Sequence, residues 1–314
     1  MFGEEKELPV VTKSFVYDDY ESYRGLSFVR MLKPRGEQSY KCTFSLRKNA
    51  NGELMFVKTM LFSRFKPCDK ETLINSFEIL RNLSHPGIMK PYGIFSRIGC
   101  DNVHMVCEYM PYGDLRKFQE DYCEINETKF ISVEKLIQIE MKLFEAVGYL
   151  HSIGICHGDI KSENIMIRGD KRCVYDPNDI NFSIVLVDFE FASKQKPDAT
   201  VYKFTGTPLF ASPEMLVGCV YNPYKTDIWA CGVVCYMLTY DRYFYDVGSV
   251  EELVKVFHTN TKIVFDQPRE DGTSIPEEFI SRMMSCLAFS PADRLCHHDS
   301  YTSHFGNVFP PSQL

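Results

Sequence analysis

The sequence predicts an α+β protein in two parts, strand-rich first and helix-rich second. Two observations carry that prediction. Up to about residue 108 the apolar residues alternate or form short runs broken by turn residues. Beyond Pro111-Tyr112-Gly113 they recur at helical spacing. A chain of 314 residues, 45% hydrophobic, has length for about two domains. The expected division is an extension (1–25), a first part (26–110) and a second (111–314).

Residues 1–25 are polar and aromatic without a period. Tyr40, Cys42, Phe44 and Leu46 then alternate with Lys41, Thr43, Ser45 and Arg47, which predicts a half-exposed strand. Asn49-Ala50-Asn51-Gly52 reads as a hairpin turn, and Leu54–Leu61 as the returning strand. A helix is expected over 70–83, with Leu73, Phe77, Leu80 and Leu83 on one side and Ser84-His85-Pro86-Gly87 ending it. Short strands follow around Tyr92–Phe95 and Val103–Glu108. In the second part Leu136, Ile139, Leu143, Val147 and Leu150 form one helical stripe. Ile228–Leu238 is apolar nearly all round, as a helix buried at the centre of a fold is. The apolar runs between Ile165 and Val187, joined by RGDKRCVYDPND, predict a long hairpin.

Lys and Arg number 35 against 42 Asp and Glu, a net charge of −7, which argues against a nucleic-acid partner. Ile228–Leu238 falls well short of the ~20 residues that span a bilayer. The start, MFGEEKELPV, has acids and no apolar core, unlike a signal peptide. The 12 Cys include no CxxC pair and several sit in apolar runs, so free thiols are expected. Cys296-His297-His298 with His304 lacks zinc-finger spacing and reads as ordinary tail residues. The expectation is an intracellular protein without membrane partners.

The chemistry is concentrated in His157-Gly158-Asp159-Ile160-Lys161-Ser162-Glu163-Asn164, followed by Val187-Asp188-Phe189-Glu190. Here the chain resembles the protein kinase family, over roughly residues 26–305. HGDIKSEN is similar to the catalytic loop HRDxKxxN, and Asp188 to the Asp of DFG. The resemblance implies that Asp159 accepts the substrate hydroxyl proton and that Lys161 stands beside the transferred phosphoryl group. It implies Asn164 and Asp188 as Mg²⁺ ligands and Lys58 as the contact of the α- and β-phosphates. Gly36 would belong to the glycine-rich loop. Backbone groups of Glu108 and Met110 would meet adenine, with Cys107 as gatekeeper, and Asp114 would reach the ribose. Gly206 to Glu214 resembles the loop ending in APE, Asp227-Ile228-Trp229 the start of the central helix, and Arg294 the partner of Glu214. The implied fold is the bilobal α+β protein kinase fold, an antiparallel β-sheet N-lobe (26–110) on a helical C-lobe (111–314). The implied activity is serine/threonine kinase chemistry, with ATP and Mg²⁺ as cofactors and a protein substrate or binding partner. Lys161 and Thr207 suit the serine/threonine branch.

Several positions depart from the family pattern. Gln38 and Lys41 replace two glycines that let backbone approach phosphate. Phe56 stands where a small residue lies over adenine, and shares a strand face with Lys58; its ring either narrows the pocket or turns away. Ser76 occupies the position of the Glu that pairs with the strand Lys, and Glu78 lies about 200° round the helix from it. Gly158 replaces an Arg that binds a phosphorylated activation loop, so such phosphorylation is not expected to be the switch. Glu190 replaces the DFG Gly. These changes support an alternative reading, a non-catalytic pseudokinase that binds proteins.

Overall fold

The computed structural model describes residues 23–33, 41–97, 100–259, 262–266 and 268–295. Gly36, Gln38, Tyr40, Cys296, His297, His298 and His304 lie outside them, as does most of the extension. The chain divides into two compact units, one up to Ser84 and again Met89–Met110, the other His85–Ile88 and everything from Pro111.

The first unit is an antiparallel sheet of β1 (Ser27–Leu32), β2 (Cys42–Lys48), β3 (Leu54–Leu61), β4 (Pro91–Ser96) and β5 (Asn102–Glu108), with α1 (Pro67–Arg81) between β3 and β4. The spatial order is β1-β2-β3-β5-β4. The turn between β2 and β3 forms because the Asn49 side chain accepts from the backbone of Asn51 and Glu53, at 3.0 and 2.9 Å. β3 runs over the residues that its pattern indicates. α1 begins earlier than its apolar period, because Pro67 pre-sets the first turn without adding to that period. Leu73, Phe77 and Leu80 on its inner side are all buried.

The alternation expected for β2 is only half kept. Cys42 and Leu46 are buried, but so is Ser45, and Phe44 is half-buried. The Ser45 face is covered too: Tyr23 packs with Met55, Val57, Phe95 and Val106, and Leu26 joins them. Tyr23 stacks on His104 with ring centroids 4.1 Å apart, and the Arg47 guanidinium lies 4.9 Å over the Tyr23 ring. His104 also meets the Thr59 hydroxyl at 2.9 Å. Burial, with Arg47 adding to it, lowers its pKa to about 4. The unfolded chain therefore binds a proton between about pH 6.5 and 4 that the folded chain refuses, so stability falls as pH drops through that window. The expected loss from this residue approaches about 3 kcal/mol. His104→Gln should flatten the fall relative to wild type in urea melts at pH 7 and 4.5; parallel losses would contradict it.

The second unit contains α2 (Leu115–Ile125), α3 (Val133–Ser152), β6 (Ile155–Cys156), β7 (Ile165–Gly169), α4 (Lys171–Tyr175), β8 (Phe182–Leu186) and β9 (Ser193–Lys194). It continues through α5 (Pro213–Leu216), α6 (Pro223–Tyr240), α7 (Val250–His258) and α8 (Glu277–Cys286). α6 is the central helix: Trp229, Cys231, Val233 and Val234 are wholly buried. The Trp229 ring meets Phe244, Phe257 and Phe289 edge-on. α3 and α8 both pack on α6 and are joined by a buried ion pair, Arg282 Nη2 to Glu140 Oε2 at 2.5 Å.

β7 and β8 pair antiparallel, Ile165 opposite Leu186, as the long hairpin predicts. Their connection is not a plain loop, because it folds into α4, capped by Asp170. Lys135, wholly buried on α3, holds it: Nζ donates to the carbonyls of Cys173 (3.2 Å) and Asp179 (2.7 Å). The ammonium also lies 4.3 Å over the Phe182 ring. Burial draws the Lys135 pKa down to about 8. A five-residue helix is too short to show a period, which is why the sequence does not announce it. Every cysteine whose side chain is described is a free thiol. Among the described residues no helix is long and apolar enough to cross a membrane.

Candidate active site

In the second unit the hairpin, the 157–164 loop and the 189–207 segment bring the expected groups together. The β7–β8 ladder extends one rung past Ile165, where Val187 N donates to the Asn164 carbonyl at 2.9 Å. Asn164 and Asp188 therefore stand at the same open end of one hairpin. Asp188 adopts a left-handed backbone, φ 62° and ψ 69°. That costs a non-glycine residue about 1 kcal/mol, a strain the flanking structure must hold.

The loop is hung from α6. Asp227, 2% exposed, accepts from His157 N (2.8 Å), Gly158 N (3.0 Å) and His151 Nε2 (3.0 Å). A buried carboxylate is tolerable only when its lone pairs are filled, so these donors are held in place by the helix. His157 Nδ1 accepts from Asp159 N at 3.3 Å, which leaves Nε2 to donate to the Val187 carbonyl at 3.1 Å. Its ring sits 4.8 Å from that of buried Phe189. His157 thus links the loop of Asp159 to the strand end that carries Asp188.

Asp159 is 6% exposed and surrounded by donors. Thr207 Oγ1 donates to Oδ1 at 2.8 Å, and Lys161 Nζ lies 2.8 Å from Oδ2. Asn164 Nδ2 reaches both Oδ2 (3.0 Å) and the Asp159 carbonyl (2.9 Å). Lys161 Nζ also donates to Thr207 Oγ1 at 2.7 Å. Two glycines permit this closeness. Gly158 sits at φ +78°, where a Cβ would come 2.9 Å from the Phe191 carbonyl oxygen. Gly206 sits at φ +81°, and a Cβ there would lie 2.5 Å from the Gly158 carbonyl oxygen. The segment's anchor downstream is Glu214, which Arg294 holds through two bonds of 2.6 and 2.7 Å. Arg294 in turn lies 4.9 Å over Trp229, so this pair is tied to the core, as the resemblance implies. Asp114 is buried, and its carboxylate caps α2 by accepting from Lys117 N at 2.9 Å.

In the first unit Lys58 is buried on β3, opposite Phe44 on β2 and Met105 on β5. Burial pushes the Cys107 thiol up to about 12, while the Lys58 ammonium acts the other way. The Phe56 ring stacks on Phe44, centroids 5.8 Å apart and planes 25° from parallel, on the sheet face that also carries Lys58. On α1, Ser76 faces inward, 2% exposed, with its hydroxyl bonded to the Leu73 carbonyl at 2.7 Å; Glu78 is exposed. The helical angle between them is realised as expected. Lys41 packs 5.0 Å over the Phe65 ring and 3.9 Å from Asp69 rather than lying in open solvent. Glu108 ends β5, and Met110, two residues on, is buried.

The role of Asp227 is the part sequence reasoning missed. A lone acid before an apolar helix gives no sign of the loop it will hold, 70 residues away. The tautomer and bridging of His157 are likewise invisible in the motif.

The family described as "Protein kinase domain" matches residues 31–305, and the chain belongs to it. Among curated proteins, it is 27% identical over 223 residues to human NUAK family SNF1-like kinase 1, covering 70% of this chain and 31% of that protein. It is 32% identical over 189 residues to serine/threonine-protein kinase kin-29 of Caenorhabditis briggsae, covering 59% of this chain and 21% of that one. It is 31% identical over 191 residues to the ovarian-specific serine/threonine-protein kinase Lok of Drosophila melanogaster, covering 58% and 36%. The chain therefore spans only about a fifth to a third of the length of these relatives.

Proposed function

We propose that this chain is a protein serine/threonine kinase that transfers the γ-phosphoryl group of ATP to a protein hydroxyl. The observation that carries the reading is the cluster at Asp159: one carboxylate ordered by Lys161, Asn164 and Thr207, with Asp188 at the same hairpin end as Asn164. In this reading Asp159 orients the hydroxyl and takes its proton. A bond forms from that oxygen to the γ-phosphorus as the bond from phosphorus to the β–γ bridging oxygen breaks, and ADP leaves with the pair. Lys161 offsets charge on the transferred group, and Lys58 holds the α- and β-phosphates. Backbone groups of Glu108 and Met110 would meet adenine, and Asp114 would reach the ribose.

Asn164 and Asp188 suit Mg²⁺, being an amide oxygen and a carboxylate, both hard donors. Asn164 spends its amide N–H groups on Asp159, which leaves the carbonyl oxygen as its ligand. Bound there, Mg²⁺ would neutralise charge on the phosphates. The non-catalytic alternative is not favoured. The relatives above are named as kinases. ATP as donor puts the protein's work inside the cell.

Nucleotide binding tests this reading. At a hundredfold excess over Kd, ATP with Mg²⁺ should stabilise the fold by about 2.7 kcal/mol. Asp188→Asn should lose most of that gain, as should wild type with EDTA. A melting curve that ATP and Mg²⁺ leave unmoved at millimolar concentration would count against the reading.

A further inference from the structure

The segment from Ser193 to Thr207 is tied down along its length, and most of the ties come from one short stretch at the start of α6. Ser193 and Lys194 pair with Cys156 and Ile155. Gln195 N donates to the Gly154 carbonyl at 2.8 Å, and the Gln195 carbonyl accepts from the Tyr224 hydroxyl at 2.7 Å. Asn222 Nδ2 donates to the Pro197 carbonyl at 2.9 Å. Val201 and Tyr221 exchange both backbone bonds at 2.9 Å, and the Tyr221 hydroxyl donates to the Lys203 carbonyl at 2.6 Å.

Asn222 has two tasks in one side chain. Its Oδ1 caps α6, accepting from Tyr224 N (2.9 Å) and Lys225 N (3.3 Å), while its Nδ2 holds Pro197. Tyr224 also reaches toward the catalytic loop: its ring meets His151 edge-on at 5.0 Å, and His151 bonds Asp227. The buried helix that holds the loop of Asp159 through Asp227 therefore also holds the 193–207 segment. Gly158, with no side chain, can offer nothing to a phosphate on that segment.

We infer that Tyr221, Asn222 and Tyr224 are positioning residues for the transfer reaction, locking residues 193–207 to α6 in the arrangement that accepts substrate, without a phosphate. The inference rests on the kinase reading for its activity arm only. Two variants separate this role from general stability. Asn222→Asp keeps the helix cap, since Asp caps as well as Asn, but removes the donor to Pro197. Tyr224→Phe removes one hydroxyl and keeps the ring.

Each lost bond should loosen the segment, so trypsin should cut the full-length protein after exposed Lys194 and Lys203 about fivefold faster than in wild type. The KM for a protein substrate should rise by about the same factor with the KM for ATP unchanged, because the loss falls on the substrate platform. A merely structural role would lower the melting temperature and kcat and leave KM alone. Cleavage unchanged in both folded variants would overturn the assignment whatever the activity. So would a rate that vanishes on replacing Ser193, Thr200 and Tyr202 together with Ala in a protein that still melts like wild type, Thr205 being kept because its side chain bonds Tyr221. Faster cleavage in a protein whose wild type transfers no phosphate would uphold the tether and sink the kinase reading instead.

Discussion

Asp159→Asn is expected to lower phosphoryl transfer by about a thousandfold, the scale of losing a positioned general base. The amide would still accept from Thr207 at Oδ1, so the loop keeps its course. It would no longer take the substrate proton, and its new N–H₂ would face Lys161 and Asn164, which are themselves donors. That mismatch should cost about 1–2 kcal/mol of stability, so the variant remains folded at 25 °C. Nucleotide affinity should be nearly unchanged, because Asn164 and Asp188 are untouched. A variant with near wild-type turnover would remove Asp159 from the chemistry. One that also fails to bind ATP would mean the substitution had disturbed the hairpin end.

The largest stability effect is expected at Glu140. Its carboxylate is 1% exposed, and Arg282 meets it with Nε at 3.1 Å and Nη2 at 2.5 Å. Burial pushes its pKa up, and Arg282 counters that. Glu140→Ala leaves a guanidinium without its anion between α3 and α8, and breaking such a pair costs about 3–5 kcal/mol. The double variant Glu140→Leu with Arg282→Met removes both charges and should recover most of the loss. Urea melts of the three proteins measure this. A single variant as stable as wild type, or a double variant as unstable as the single, would show that the pair is not what joins these helices.

Much of the fold could be read from the chain because its signals are local. The β3 run, the inner face of α1, and the apolar circumference of α6 each follow from residues next to one another. Ser45, Tyr23 and α4 could not be read in the same way. Ser45 is buried because a segment some twenty residues earlier covers its face. α4 is held by a lysine from another helix, and a buried lysine looks like a surface one until its acceptors are known. The same division runs through the site. Asp159, Lys161, Asn164 and Asp188 stand at motif spacing, so the resemblance picked them out. The stack of Phe56 on Phe44 is a cross-strand contact that the sequence of β3 alone does not show. The fixing of the catalytic loop by Asp227 is a contact across 70 residues, beyond any local pattern.

An ordered Asp159 cluster stands here in a chain with Ser76 and Glu190 where the resemblance implies Glu and Gly, so its chemistry is the point to test. The most direct measurement is transfer of radiolabelled γ-phosphate from ATP with Mg²⁺ to a general protein substrate, wild type beside Asp159→Asn, with the products hydrolysed to identify the labelled amino acid. Wild type should yield phosphoserine or phosphothreonine and the variant almost none. Equal label from both, or none from either with Mg²⁺ or Mn²⁺ while the protein is folded, would contradict it.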